Sequence, residues 1–262
     1  MKKVLKISIW VLTVIAIGCL WFFTNKAHVD NPLASVEMTI ERKYDTGFIN
    51  KTKVYQDLLS ICDTANNTRV SMIPIDSIKQ YLQSIPWATE TYATITLDEV
   101  LVTKIVECQP VMRVYNKEGK SVYLDNEGRI FPVNSDYKIH LMIASGVIRF
   151  PVVEGKSANI NDDDYKFTDL PKVFNVMQSV QKNPYTNCCV KQVYFDGRQY
   201  ELVMNNVDAR VVLGDDENID AKLENLQYFF EKMQGAPELS TYKQISFNFD
   251  NQVVCTKNKN KK

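Results

Sequence analysis

Residues 82–114 read LQSIPWATETYATITLDEVLVTKIVECQPVMRV, and this stretch decides the fold. Leu82 belongs to a stripe formed by Ile75, Ile78, Leu82 and Ile85. Spacings of 3, 4 and 3 place that stripe on one face of a short helix. Pro74 precedes the helix and Pro86 ends it, because proline lacks the N–H and clashes with the turn before it. Trp87 follows directly and is expected to fold back as a structural anchor on the sheet that comes next. That sheet is read from residues 89–97, dense in Thr, Tyr and Ile, and residues 100–106, VLVTKIV. The acidic pair Asp98-Glu99 joins the two runs as a hairpin.

Working toward the N-terminus, residues 36–41 alternate apolar and polar side chains and predict a half-buried strand. Residues 48–61 carry Ile49, Val54, Leu58 and Ile61 at helical spacing, with Asn50 a candidate cap. The order is therefore strand, helix, helix, strand, strand over residues 36–110. Residues 25–35 are polar and read as a linker.

Working toward the C-terminus, the pattern becomes short strands and turns. Residues 111–115, 121–124 and 129–131 are separated by Lys117-Glu118-Gly119 and Asp125-Asn126-Glu127-Gly128. Glycine in each turn supplies the positive φ a tight hairpin needs. Strands are also expected over residues 190–195, 199–204 and 210–214. Residues 174–180 predict a helix. In residues 219–233, Ile219, Leu223, Leu226, Phe230 and Met233 form one helix face. Residues 242–255 read as one last long strand, with Ile245, Phe247 and Phe249 alternating against Ser246, Asn248 and Asp250. A terminal strand at a sheet edge offers unpaired N–H and C=O groups to a partner segment. The second domain is placed at residues 111–255 and a basic tail at 256–262. The fold class is α+β.

Residues 7–24, ISIWVLTVIAIGCLWFFT, carry no charge. As a helix they extend about 27 Å at roughly 1.5 Å per residue, which suits a transmembrane anchor. Lys2, Lys3 and Lys6 precede the segment, so residues 1–6 are expected in the cytoplasm and the rest outside it. A cleaved signal would end at small residues, whereas this segment ends in Trp21-Phe22-Phe23. A lipid-modified Cys19 would leave the same bulky residues at the start of the tether.

The chemistry that composition excludes is extensive. The chain has 262 residues with 31 basic and 31 acidic side chains. Setting aside the seven lysines at the two ends leaves 24 basic against 31 acidic residues, the wrong sign for a nucleic-acid surface. Histidine occurs twice, as His28 and His140, and no nucleophile–base signature accompanies either. Asp162-Asp163-Asp164 lacks the spacing of a calcium loop and reads as an exposed acidic loop. No catalytic, cofactor or metal site is expected. Of six cysteines, Cys19 lies in the apolar segment and the other five form an odd set. They read as small buried hydrophobes, with room for one long-range disulfide. Cys188 and Cys189 are adjacent and poorly placed to bridge each other.

Four stretches resemble the bacterial FtsQ/DivIB cell-division family. Leu82-Gln83-Ser84-Ile85-Pro86-Trp87 is similar to its helix-ending L-x-x-x-P-W. Residues 101–114 resemble its L-x-V-x-V-x-E-R-x-P-V-A-R, with Cys108 in place of the arginine. Tyr123 to Pro132 resembles its D-x-x-G hairpin, and Arg210-Val211-Val212-Leu213-Gly214 its v-x-L-G strand. Residues 139–169 match little of the family pattern. The resemblance implies a bitopic inner-membrane protein with a POTRA domain at residues 36–110 and a larger, mostly antiparallel β domain with flanking helices. It implies a non-catalytic divisome scaffold at the septum. That scaffold binds FtsB- and FtsL-like coiled-coil proteins and, through them, influences an FtsW/FtsI-like septal peptidoglycan synthase. The partner surface it implies is the last strand: Tyr242, Ile245, Phe247, Asn248, Phe249 and Val253. Phe249 is the central aromatic residue, or Phe247 if the register slips by one pair. The competing reading is a membrane-anchored periplasmic POTRA chaperone or outer-membrane assembly factor.

Overall fold

The computed structural model describes residues 10–22, 31–43, 47–63, 68–134, 139–152, 155–249 and 252–258. Residues 10–22 form helix α1. Among the described residues no helix is long and apolar enough to cross a membrane. The expected span, residues 7–24, extends at both ends outside the described residues, and Lys2, Lys3, Lys6, His28, Lys259, Lys261 and Lys262 also lie outside them. The chain divides into two compact units, residues 1–108 and 109–262.

The first unit runs β1 (Ser35–Glu41), α2 (Lys51–Ile61), α3 (Ile75–Gln83), β2 (Ala88–Ile95), β3 (Val100–Glu107). Its sheet has the order β1-β3-β2. β3 pairs in parallel with β1, Val36 opposite Leu101, and antiparallel with β2, Ala93 opposite Thr103. Alternation puts Leu101, Thr103, Ile105 and Glu107 of β3 on one buried face. Val54 and Leu58 of α2 and Ile78 and Leu82 of α3 share the apolar core with Leu101 and Ile105. Asn50 caps α2 as expected, accepting the Lys53 N–H at 3.1 Å. The helices are further tied by the Tyr81 hydroxyl, which donates to Asp57 at 2.5 Å.

Glu107 ends the buried face of β3 with a carboxylate. One oxygen accepts the Ile49 N–H at 2.8 Å, and the other lies 3.2 Å from Arg42 Nε. Burial pushes the carboxyl above its ordinary value, partly offset by the Ile49 N–H and by Arg42. A side chain at Gly47 would place its Cβ 2.4 Å from the same carboxylate and 2.7 Å from the Arg42 guanidinium, so it would displace the ion pair. Trp87 is half-buried rather than deeply buried, stacked on Phe48 with ring centroids 6.5 Å apart. Its carbonyl accepts the Cys108 N–H at 2.8 Å.

The second unit is a ten-stranded mixed sheet. Its strands are β4 (Met112–Tyr115), β5 (Ser121–Leu124), β6 (Arg129–Pro132), β7 (Met142–Gly146), β8 (Ala158–Asn159), β9 (Val190–Phe195), β10 (Tyr200–Met204), β11 (Arg210–Gly214), β12 (Tyr242–Phe249) and β13 (Gln252–Lys257). The order across the sheet is β13-β12-β11-β10-β9-β7-β4-β5-β6-β8. The pairs β4–β7, β7–β9 and β11–β12 are parallel and the others antiparallel. Helices α4 (Leu170–Lys182), α5 (Pro184–Cys189) and α6 (Ile219–Lys232) complete the unit. Val173, Phe174 and Met177 of α4 and Leu223, Leu226 and Phe230 of α6 belong to one core with Val193, Leu202, Val211 and Ile245.

The hairpins owe their shape to side chains that imitate backbone. Asp125 Oδ1 accepts the N–H groups of Glu127 and Arg129, both at 2.9 Å. Asn116 does the same for Glu118 and Lys120, and Asp196 for Arg198 and Gln199. Gly128, at φ +73°, completes the first of these turns.

Three expectations change. The predicted strand 242–255 is a hairpin of two strands, so β12 is flanked on both sides. The predicted helix 174–180 is longer, starting at Leu170 with Pro171 inside its first turn, where a missing N–H costs nothing. All six cysteines are free thiols: Cys62 and Cys108 are buried, but Cys19 and Cys188 are exposed.

Candidate partner-binding edge

The sheet of the second unit has two outer strands, β8 and β13. β8 has only two residues, which leaves little backbone for a visiting segment. β13 has six, and no described strand lies on its outer side. An antiparallel strand turns alternate backbone groups away from its neighbour, so β13 presents a row of outward N–H and C=O groups.

β12 seats this edge. It pairs in parallel with β11, Val211 opposite Ile245, and antiparallel with β13, Ile245 opposite Cys255 and Ser246 opposite Val254. The pairing with β13 shifts register twice, between Tyr242 and Gln244 and between Ser246 and Phe249. The far end of β13 is closed by the Asn258 N–H, which donates to the Thr241 carbonyl at 2.8 Å.

The expected contact residues separate into two groups. Ile245 is fully buried and Phe247 is 2% exposed, so both belong to the core. Phe247 meets Phe229 of α6 edge to face at 5.9 Å. Tyr242 and Val253 are half-buried and pack against the same core. Asn248 and Phe249 are exposed, Phe249 at 49%. Asn248 also has a structural duty. It lies against the α-carbon of Gly214, where an added Cβ would fall within 1.8 Å of its Oδ1. Gly214 adopts φ +85°, so glycine is required there on two counts.

The sequence reading missed Val254. It is 41% exposed and stands on the outermost strand, within reach of any added segment. Its signal was present, since Val253, Val254 and Cys255 are consecutive apolar residues, but in a single strand 242–255 the apolar face follows the odd-numbered Ile245, Phe247 and Phe249 and leaves Val254 out.

The start of α6 carries charge and borders an open cavity of about 490 Å³, lined by Asn175, Val176 and Ser179 of α4 and by Asp216, Asn218 and Asp220. Lys222 Nζ donates to Asp215 at 2.6 Å and holds that carboxyl below its ordinary value. Asp162, Asp163 and Asp164 are exposed, and Asp162 accepts the Asn159 N–H at 2.7 Å. Among the described residues no group of three or more His, Cys, Asp or Glu is placed to hold a metal ion.

Comparison with known proteins places this geometry. The family model described as FtsQ/DivIB, C-terminal related, matches residues 109–256, which take in the whole ten-stranded sheet up to the last residues of β13. The chain belongs to the FtsQ/DivIB family. Membership associates it with cell division. No curated protein matches the chain. For an FtsQ/DivIB-family protein, the quoted v-x-L-G stretch gains a physical reading: Val211 and Leu213 fill the core, and Gly214 admits Asn248.

Proposed function

We propose that the protein is a non-catalytic scaffold of the bacterial divisome and that β13 is its receptor for an FtsB-like partner segment, with an FtsL-like protein bound alongside. The observation that carries this is the coincidence of the family match over residues 109–256 with a terminal strand whose outer side has no described neighbour. A segment adding to β13 gains main-chain hydrogen bonds along its length. Val254 and Phe249 lie beside it as apolar contacts. Through that complex the scaffold influences an FtsW/FtsI-like septal synthase.

The first unit is read as a POTRA domain, on its strand–helix–helix–strand–strand order. Residues 7–24 are read as a single-pass anchor in the inner membrane, with the N-terminus cytoplasmic and both units periplasmic. The uncharged stretch and the helix at residues 10–22 support this.

The test is a fluorescent fusion imaged in dividing cells, with co-purification of its partners. Accumulation at midcell together with a small coiled-coil protein is the expected outcome. An even distribution around the envelope would favour the assembly-factor reading instead.

A further inference from the structure

The loop that joins β8 to α4 lifts one ring into solvent. Phe167 is 88% exposed, more than any other large hydrophobic side chain among the described residues. The backbone around it is pinned. The Asp162 carbonyl accepts the Tyr165 and Lys166 N–H groups, both at 2.9 Å, and the Tyr165 carbonyl accepts the Thr168 N–H at 2.9 Å. The Arg149 N–H donates to Asp169 Oδ2 at 2.9 Å. Tyr165 and Leu170, both in the core, bracket the tip. Lys166 lays its ammonium 5.0 Å from the centre of the Phe167 ring and donates to Asp163 at 2.5 Å. The tip is thus a preformed plug, a ring with a cation beside it, and it loses little conformational freedom on binding.

A socket of matching chemistry lies on the same unit. The open cavity of about 490 Å³ between α4 and the start of α6 is lined by the buried Val176 and Ile219 and by the exposed carboxylates Asp216 and Asp220. The apolar pair suits a ring, and the carboxylates suit an ammonium beside it. Plug and socket are neighbours: Lys172, in the first turn of α4 just after the tip, pairs with Asp216 at 3.4 Å. Phe167 does not line the cavity of its own chain. A two-fold axis brings the same patch of two copies together, so a plug beside a socket is met by a socket beside a plug. A lipid surface is the poorer occupant, because the exposed Asp162, Asp163 and Asp164 next to the ring oppose an anionic headgroup layer.

We propose that the Lys166–Phe167 tip of one copy of this chain enters the α4–α6 cavity of a second copy, in a reciprocal pair. The ring meets Val176 and Ile219, and Lys166 turns from Asp163 toward Asp216 and Asp220 of the second copy. Two such insertions bury on the order of 800 Å², counting both surfaces, against roughly 1,200–2,000 Å² in a stable complex. The pair is therefore weak and forms at high local concentration. Neither plug nor socket includes a residue of β13, so the pairing stands or falls apart from the receptor role of that edge.

The experiment traps the weak pair with the purified full chain in detergent. In one preparation p-benzoylphenylalanine replaces Phe167, which keeps an aromatic plug, and this probe chain is mixed with isotope-labelled parent chain. Irradiation should yield a covalent dimer whose cross-linked peptides join the tip of the probe chain to residues 170–182 or 216–222 of the labelled one. Asp220→Lys in the labelled chain should lower that yield about two- to fivefold, and adding Lys166→Glu to the probe chain should restore it. Absence of a covalent dimer would overturn the pairing. So would cross-links confined to the probe's own chain or landing elsewhere on the labelled one, and so would a yield unmoved by the charge changes.

Discussion

β3 and β12 occupy the same kind of position. Each has a parallel neighbour on one side, β1 or β11, and an antiparallel neighbour on the other, β2 or β13. Their ends differ. The buried face of β3 runs to Glu107, which the Ile49 N–H and Arg42 hold in place. The buried face of β12 stops at Phe247, and Asn248 and Phe249 emerge into solvent. The outer partners differ as well: β2 has eight residues and one register shift, whereas β13 has six and two. A strand whose buried row is closed by a salt bridge serves the fold. A strand whose row opens near an edge leaves side chains free for another molecule.

Substitutions can break or sharpen that contrast. The largest effect is expected in the two buried rows: Ile105→Ala should cost about 2–5 kcal/mol and Phe247→Ala about 3–5 kcal/mol. Phe249→Ala, two residues farther along, should stay within about 0.5 kcal/mol. Denaturant unfolding of the three variants measures this, and an equal loss for Phe249→Ala would erase the distinction.

Next come the glycines that admit a side chain. Gly214→Ala should destabilise the second unit by about 1–2 kcal/mol from its left-handed backbone alone, with the collision at Asn248 added. Adding Asn248→Gly should recover part of that loss in a double-mutant cycle. Additive losses would show that Asn248 does not share the space.

Glu107 offers a smaller, pH-dependent test. Its folded carboxyl sits above its unfolded value, so the folded state binds the proton more tightly. The sign follows: parent stability rises as pH falls from the raised value toward the ordinary one. Glu107→Gln carries no such proton and should be flat for this group across that window. The melting-temperature difference between variant and parent should therefore move in the parent's favour on acidification. A difference constant with pH would mean that Glu107 does not titrate there.

The smallest stability effect and the largest functional one belong together at Val254→Lys. A lysine on an outer strand is a common guard against added strands. The melting temperature should change little, within about 0.5 kcal/mol in stability, while co-purification of the proposed small coiled-coil partner is lost. A folded Val254→Lys protein that keeps its partner would move the receptor away from β13.

Much of this architecture was legible in residues. Alternation located β1, a density of Val, Ile and Thr located β2 and β3, and the turns at Lys117-Glu118-Gly119 and Asp125-Asn126-Glu127-Gly128 marked the β4–β5 and β5–β6 hairpins, where Asn116 and Asp125 satisfy the turn's own N–H groups. The β12–β13 turn escaped for a specific reason. Ile245 pairs with Cys255 and Ser246 with Val254, so odd-numbered residues share a face across the hairpin. The apolar rhythm of Ile245, Phe247, Val253 and Cys255 therefore continues in phase, and Asp250-Asn251 contains no glycine to interrupt it. The expected contact residues accordingly fall on both strands of the hairpin, Val253 on β13 and the others on β12. α5, with six residues, is too short to show a helical period, although Asn183 before Pro184 was a readable cap. Trp87 stands at the expected junction, half-buried and packed against the core of the first unit.

The parallel pairing of β1 with β3 also governs the order of assembly. β1 finds its neighbour only after α2, α3 and β2 have been made, so a long loop must close before its hydrogen bonds form. The β2–β3 hairpin has no such delay, its strands being joined by a short turn. Folding of the first unit should therefore begin at its C-terminal half, with the earliest strand in the chain the last to dock, and a refolding experiment that monitors β1 separately should find it slow.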